Sequence, residues 1–273
     1  MDYLIHLAIL VGLYGILSLS LNLLVGFTGL ISVTHAAFYG LGAYAAALLM
    51  VERGINFFLA LPLAMGVAMG VGVLIGLVLS RFREDYYVLA SFGFNAIVFS
   101  LFLNLQSVTR GPLGIPGIPR PLFFSSNLSF LILTSLFVFL TFFLCRWLTT
   151  SSFGRVLKAI REDEGAIQVF GYRTAHYKLL IFVVAAALAA LAGALYASYI
   201  TFIDPSTFNL PESIFIISII ILGGLANLRG SLLGVVFLVL LPEVLRFVGF
   251  PSEIAAQMRQ LTYGLILVIF MLY

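Results

Sequence analysis

Long apolar stretches, separated by short polar or glycine-rich breaks, run through the whole chain. Residues 130–144 and 179–203 are apolar runs without a single charged side chain. A helix needs roughly 20 apolar residues to cross the hydrocarbon core of a bilayer. In lipid the backbone must satisfy its own hydrogen bonds, which leaves helices and closed barrels. Barrel strands are short and alternate in polarity; these runs are long and continuous, so they predict helices. The pattern places them at residues 4–25, 36–51, 55–80, 86–105, 128–148, 177–202, 213–222, 232–248 and 254–273, about nine membrane segments.

The breaks carry as much information as the helices. Gly26-Phe27-Thr28-Gly29 and then Ser32-Val33-Thr34-His35 part the first two segments, and 223–230, beginning Gly223-Gly224, parts the seventh and eighth. Helix, glycine-rich break and helix in both halves suggest an internal repeat, an arrangement in which interrupted helices line a transport site. Residues 106–127 are rich in proline and glycine, and proline fixes φ and removes a donor, so no regular helix is expected there. Asp204-Pro205 breaks the sixth segment and Pro211-Glu212 opens the seventh.

Composition identifies the solvent. Hydrophobic residues make up 62% of the chain and charged residues 9%, against about 25% charged in a soluble domain. The mean hydropathy of +1.17 agrees, and lipid is the expected surroundings. Basic residues in short loops set orientation. Arg146, Arg155, Lys158, Arg161, Arg173 and Lys178 form the densest basic region, which is therefore expected in the cytoplasm. Arg81 and Arg83 fall on the same side. The proline loop, despite Arg110 and Arg120, falls outside, with an external N-terminus and a cytoplasmic C-terminus. Met1-Asp2-Tyr3 offers no basic start for a signal peptide, so the first run reads as a retained helix. Cys145, the single cysteine, reads as packing.

The polar stretch 149–178 is the most distinctive. Ser151 or Ser152 can cap a helix, Gly171 suits a left-handed stop, and Val156, Ile160, Ile167 and Phe170 can share one face. One or two short amphipathic helices result. By composition they fit an anionic lipid surface or a protein partner equally; the clustered Glu162, Asp163 and Glu164 favour the protein.

Phe153-Gly154-Arg155, Ala159-Ile160-Arg161-Glu162-Asp163-Glu164, Gly171 and Tyr177-Lys178 resemble, in register, the cytoplasmic loop of the LivM-type permeases of branched-chain amino acid ABC transporters. The resemblance continues through 18–30, beginning Ser18-Leu19-Ser20-Leu21-Asn22, through His35-Ala36-Ala37-Phe38-Tyr39-Gly40, and through Gly193-Ala194-Leu195-Tyr196-Ala197 and Leu222-Gly223-Gly224-Leu225. Departures are Ala96 and Phe99, where that family usually has a Glu and an Arg, and Leu113 in its GPNG motif. The resemblance implies an all-α transmembrane bundle with interrupted helices and a cytoplasmic coupling helix, one permease domain over 1–273. It implies that Arg155, Lys158, Arg161, Glu162, Asp163, Glu164 and Gly171 serve coupling to an ATPase. Partners so implied are a LivH-like second permease subunit, two ATPase chains and an extracytoplasmic solute-binding protein docking near 106–127 and 203–212. The setting is a prokaryotic inner (plasma) membrane, and the cargo is branched-chain or other hydrophobic amino acids. Relatives that carry urea, amides or other small amino acids, and an ion-coupled secondary transporter, stand as alternatives.

No Walker A sequence occurs, since neither Lys158 nor Lys178 follows glycine; ATP and Mg are expected on partner subunits, with no cofactor or metal on this chain and no catalytic residues. Metalloprotease, redox-dicysteine and nucleophile-elbow patterns are missing too, as is any basic, aromatic-interleaved segment suited to nucleic acid. Polar groups inside membrane helices must find partners. Asn22, Thr28, Ser32 and His35 therefore either satisfy a broken backbone or line a substrate path, where amides at a helix break would meet a carboxylate. Gly40, Gly42 and Ala43, with Ala186, Ala190, Gly193 and Ala197, predict close helix contacts, some of them against the second permease subunit.

Overall fold

The computed structural model describes residues 2–82, 84–247 and 264–265. Among them are eleven helices: α1 Asp2–Thr28, α2 His35–Val51, α3 Phe57–Leu79, α4 Glu84–Asn104, α5 Gln106–Thr109, α6 Asn127–Thr150, α7 Ser152–Glu162, α8 Glu164–Val169, α9 Thr174–Ile200, α10 Leu210–Gly223 and α11 Leu228–Phe247. Two short strands, β1 Ile115–Pro116 and β2 Phe202–Ile203, and three 3-10 turns, Gly111–Leu113, Leu122–Phe124 and Pro205–Phe208, accompany them. The chain is an all-α polytopic membrane protein: α1, α3, α4, α6 and α9 are long and apolar enough to cross a bilayer, and α2, α10 and the first part of α11 are shorter apolar helices. The last segment expected from the sequence, 254–273, lies outside the described residues except for its helical pair at 264–265.

Helix α9 is the axis of the bundle and is buried along most of its length. Lipid gives no hydrophobic drive between helices, so close packing must hold them. On α2, a Cβ at Gly42 would fall within the backbone of Ala190, and one on Gly193 would fall onto the carbonyl of Tyr39. The two backbones touch with no side chain between them. By contrast α3, α4 and α6 turn large apolar side chains outward, among them Leu74, Leu89 and Phe139, as lipid-facing helices do.

The first helix runs past its expected end. Gly26 and Phe27 are helical, and the chain turns only at Gly29, whose φ is +75°. Glycine is tolerated inside the helix because a Cβ at Gly26 would strike the Asn22 side chain and come within 2.5 Å of the Ala226 amide. The second break, with Gly224 at φ 91° and Ala226 at φ 62°, is packed against that bare spot. Around it α10 and α11 fold back as a hairpin, Gly223 against Gly230 and Gly234 close to the Ile219 carbonyl.

The proline-rich loop is more ordered than proline content alone suggests. It holds the single helical turn α5 and two 3-10 turns, and β1 pairs antiparallel with β2, Ile115 opposite Ile203. Arg120 ties the loop down. Its guanidinium donates to the carbonyls of Tyr199 and Ser125, both at 3.0 Å, and to Asn127 Oδ1 at 3.1 Å, and it lies over the Tyr199 ring.

At the other end of the bundle, α7 and α8 form two short helices rather than one. Ser151 Oγ accepts from the Gly154 amide and starts α7. Asp163, in extended conformation, ends it and caps α8 by accepting from the Ala166 amide at 3.0 Å. That interruption resets the helical rotation. Of the expected face, Ile160 is buried and Val156 and Ile167 are half-buried, with Leu157 buried in place of Val156, but Phe170 is 77% exposed, as is its neighbour Val169 at 87%. Gly171 closes α8 with φ 87°.

Candidate functional site

The first break, residues 29–34, lies among buried polar side chains from two helices, α4 and α10. Ser213 of α10 donates to the Val33 carbonyl at 2.7 Å and accepts from the Ala36 amide at 3.1 Å. Asn95 of α4 donates to the same carbonyl at 2.8 Å and to Ser213 Oγ at 3.1 Å. Ser91, one turn earlier on α4, accepts from the Val33 amide at 3.2 Å. The break thus exchanges its missing helical bonds for side-chain ones, as an unwound backbone in lipid must.

The four residues expected along a substrate path are all buried, in different surroundings. Thr28 Oγ1 bonds back to the Leu24 carbonyl at 2.5 Å and accepts from the Leu30 amide, finishing the last turn of α1. Ser32 and Thr34 share a hydroxyl bond of 2.9 Å. His35 opens α2 and meets Ser20 Oγ through Nε2 at 3.1 Å; its Nδ1 finds no partner among the described residues. Asn22 stands apart from these three. Its Oδ1 accepts from the Ala226 amide at 2.9 Å, and its Nδ2 donates to Ser231 Oγ at 2.5 Å and to the Asn227 carbonyl at 3.2 Å. It clasps the second break, not the first.

The seven polar-loop positions divide by what they touch. Arg161 reaches from α7 into the bundle, donating from Nη1 to the Gly26 carbonyl at 2.6 Å. Lys158 lies over the Phe27 ring at 5.6 Å. Glu164 pairs with Lys178 of α9 at 2.5 Å and accepts from Thr174 Oγ1 at 2.8 Å. Arg155 is exposed and bonds only its own helix, at Ser152, while Glu162 is exposed and Asp163 serves as the cap already described. Gly171 ends the element. The last two turns of α1 therefore carry two attachments four residues apart, the second break on Asn22 and α7 on Gly26. No group of three His, Cys, Asp or Glu side chains suited to a metal ion occurs among the described residues.

Sequence reasoning did not single out Ser91, Asn95, Ser213 or Ser231. Their only mark is a polar side chain inside an apolar helix, which by itself is compatible with many partners.

The family model for the branched-chain amino acid transport system permease component matches residues 3–272. The chain belongs to that permease family. It is 33% identical over 269 residues to the high-affinity branched-chain amino acid transport system permease protein LivM of Salmonella typhimurium, covering 89% of this chain and 63% of that protein. The LivM protein of Escherichia coli gives the same identity and coverage. The chain thus spans less than two thirds of the length of these two relatives. A probable branched-chain amino acid transport permease protein LivM of Methanocaldococcus jannaschii is 25% identical over 308 residues, covering 96% of this chain and 89% of that one. No solved structure matches the permease. The family match runs through both breaks and through α7–α8, so the attachments described above belong to the permease body.

Proposed function

We propose that the chain is the membrane-spanning subunit of an ATP-driven importer for branched-chain or other hydrophobic amino acids, in the plasma membrane of a prokaryote. The observation that carries this reading is the α7–α8 element. It is amphipathic and short, it leaves Val169 and Phe170 bare, and it grips the bundle at two points, Gly26 through Arg161 and Lys178 through Glu164. Such an element transmits force from a partner docked on its outer face. In this reading α7–α8 is cytoplasmic, Arg155 and Lys158 with the bare pair Val169 and Phe170 meet one of two separate ATPase chains, and ATP and Mg belong to those chains. The β1–β2 cap faces outward, where a solute-binding protein delivers cargo, and a second permease subunit completes the membrane portion.

Closure of the ATPase pair displaces α7–α8, and Arg161 carries that displacement to the last turn of α1. Asn22, one turn earlier on the same helix, hands it to the second break. Ligand binding moves an equilibrium only through differential affinity for its two states; here the ATPase chains supply the difference. Ser32 and His35, beside Asn95 and Ser213, are the polar groups proposed to line the route of the cargo.

Purification of the tagged chain from its native membrane is expected to bring ATPase chains with it. In proteoliposomes holding that complex, leucine uptake should require ATP, and deletion of 155–171 should abolish uptake. Uptake that follows an ion gradient and ignores ATP would reject the proposal.

A further inference from the structure

A cavity of about 620 Å³ lies between the α7–α8 turn and the first break. Its lining divides by chemistry. Leu30, Ile31, Val88 and Ile160 supply an apolar part; Arg161, Glu162, Glu164 and Lys178 supply a charged part. Lys178 is 3% exposed, yet its ammonium meets one carboxylate oxygen among the described residues, Glu164 Oε2. An ammonium carries three N–H donors, and burying it with one acceptor leaves the remaining donors in need of oxygen. Glu164 cannot serve them all, because Oε1 already accepts from Thr174 and Gln168 and Oε2 from Lys178, which uses three of a carboxylate's roughly four lone-pair sites. Glu162 forms no ion pair among the described residues. Helix α1 also ends at this cavity, and the carbonyls of a helix C-terminus favour a cation.

We propose that this cavity binds an α-amino acid with an aliphatic side chain. The carboxylate takes the unused donors of Lys178 and Arg161, the ammonium takes Glu162 and the end of α1, and the side chain lies against Leu30 and Val88. The charge balance selects this class. Two cations face three carboxylates, counting Asp163, too few for a phosphate or nucleotide and too many for a metal ion. A zwitterion leaves the balance as it stands. The inference rests on the reading of the chain as an amino-acid permease, in which this is the delivery side. The ligand is then accumulated cargo, and because α7–α8 forms one wall, occupancy holds that element against the first break and slows further import.

A zwitterionic lipid headgroup offers the same charges, so the test separates the sources. Tritiated leucine is titrated onto the full-length chain, purified with its accompanying subunits and without solute-binding protein, in nanodiscs made with or without phosphatidylethanolamine. Saturable binding is expected in both lipids. Leucine methyl ester and N-acetyl-leucine, each lacking one charge, should compete at least roughly tenfold less well, the scale of one charged hydrogen bond. Glu162→Gln, at an exposed position, should weaken leucine by a similar factor, and Val88→Phe should block it by filling the cavity. Binding unchanged by both substitutions would overturn the proposal. So would binding confined to phosphatidylethanolamine-free discs together with photo-crosslinking of that headgroup at Leu30. Uptake intact with no saturable binding would sink this site alone; binding intact with no ATP-dependent uptake would sink the permease reading alone.

Discussion

Replacing Asn22 with alanine removes the clasp on the second break. Four contacts go: the Ala226 amide at 2.9 Å, Ser231 Oγ at 2.5 Å, the Asn227 carbonyl at 3.2 Å and, longest, the Gly224 carbonyl at 3.4 Å. Their fates differ. The Asn227 carbonyl still accepts from Ser231 Oγ at 3.1 Å and from the Ser231 amide at 3.0 Å, so it loses little. The Ala226 amide has no other acceptor among the described residues and is orphaned, at a cost of about 1–3 kcal/mol. Side-chain hydrogen bonds between membrane helices average only about 0.6 kcal/mol each, so the amide dominates, and the whole substitution should cost about 2–4 kcal/mol. The damage should also be local. Hydrogen exchange of peptides covering 224–231 should quicken by roughly 30-fold, the equivalent of about 2 kcal/mol, while peptides from α9 keep their protection. Denaturation of the purified chain in mixed micelles, followed by circular dichroism, supplies the global value. A loss below about 0.5 kcal/mol, the level of an ordinary surface substitution, with unchanged exchange at Ala226, would refute the claim that Asn22 secures the break.

Three further outcomes are expected. Arg161→Met cuts the bond to the Gly26 carbonyl and should lower uptake about tenfold, within the range of a coupling change of about 0.5–2 kcal/mol, with ATPase turnover in the same proteoliposomes kept within about twofold. Gly193→Val drives a side chain into the Tyr39 backbone and should cost about 1–3 kcal/mol or more by overpacking, seen as loss of the monodisperse peak in size-exclusion chromatography; Gly66→Ala, with open space around its Cβ, is the silent control. Val169→Asp with Phe170→Asp alters side chains 87% and 77% exposed, so the fold should stay within about 0.5 kcal/mol of the parent while co-purification of the ATPase chains is lost.

Most of the helices were legible because lipid forces the backbone to close on itself, so an apolar run becomes a helix whatever its neighbours do. Ends were less legible. Gly26 looks like a helix terminator until Ala226 arrives 200 residues later to claim the space a Cβ would fill. Phe170 fitted one continuous helical face only while Asp163 was counted as part of that helix; as a cap it starts a new one. The polar cluster around Val33 was hidden for a related reason. Ser91, Asn95 and Ser213 come from two helices far apart in the chain, and no periodicity links them. Arg161 and Glu164 were visible as charges, but their partners, a backbone carbonyl on α1 and a lysine at the start of α9, depend on how the helices lie together.

The bare contact between α2 and α9 fixes which parts of the molecule have freedom. Two backbones meshed without side chains between them have no surface on which to slide, so the pair behaves as a single strut. Helix α9 is 27 residues long, about 40 Å at 1.5 Å per residue. One end is fastened to α8 through Lys178, and just beyond the other β2 is stitched to the proline loop. A tilt imposed at the foot of this strut is therefore delivered whole at its head. In the proposed importer, the solute-binding protein and the ATPase pair hold opposite ends of the same stiff rod.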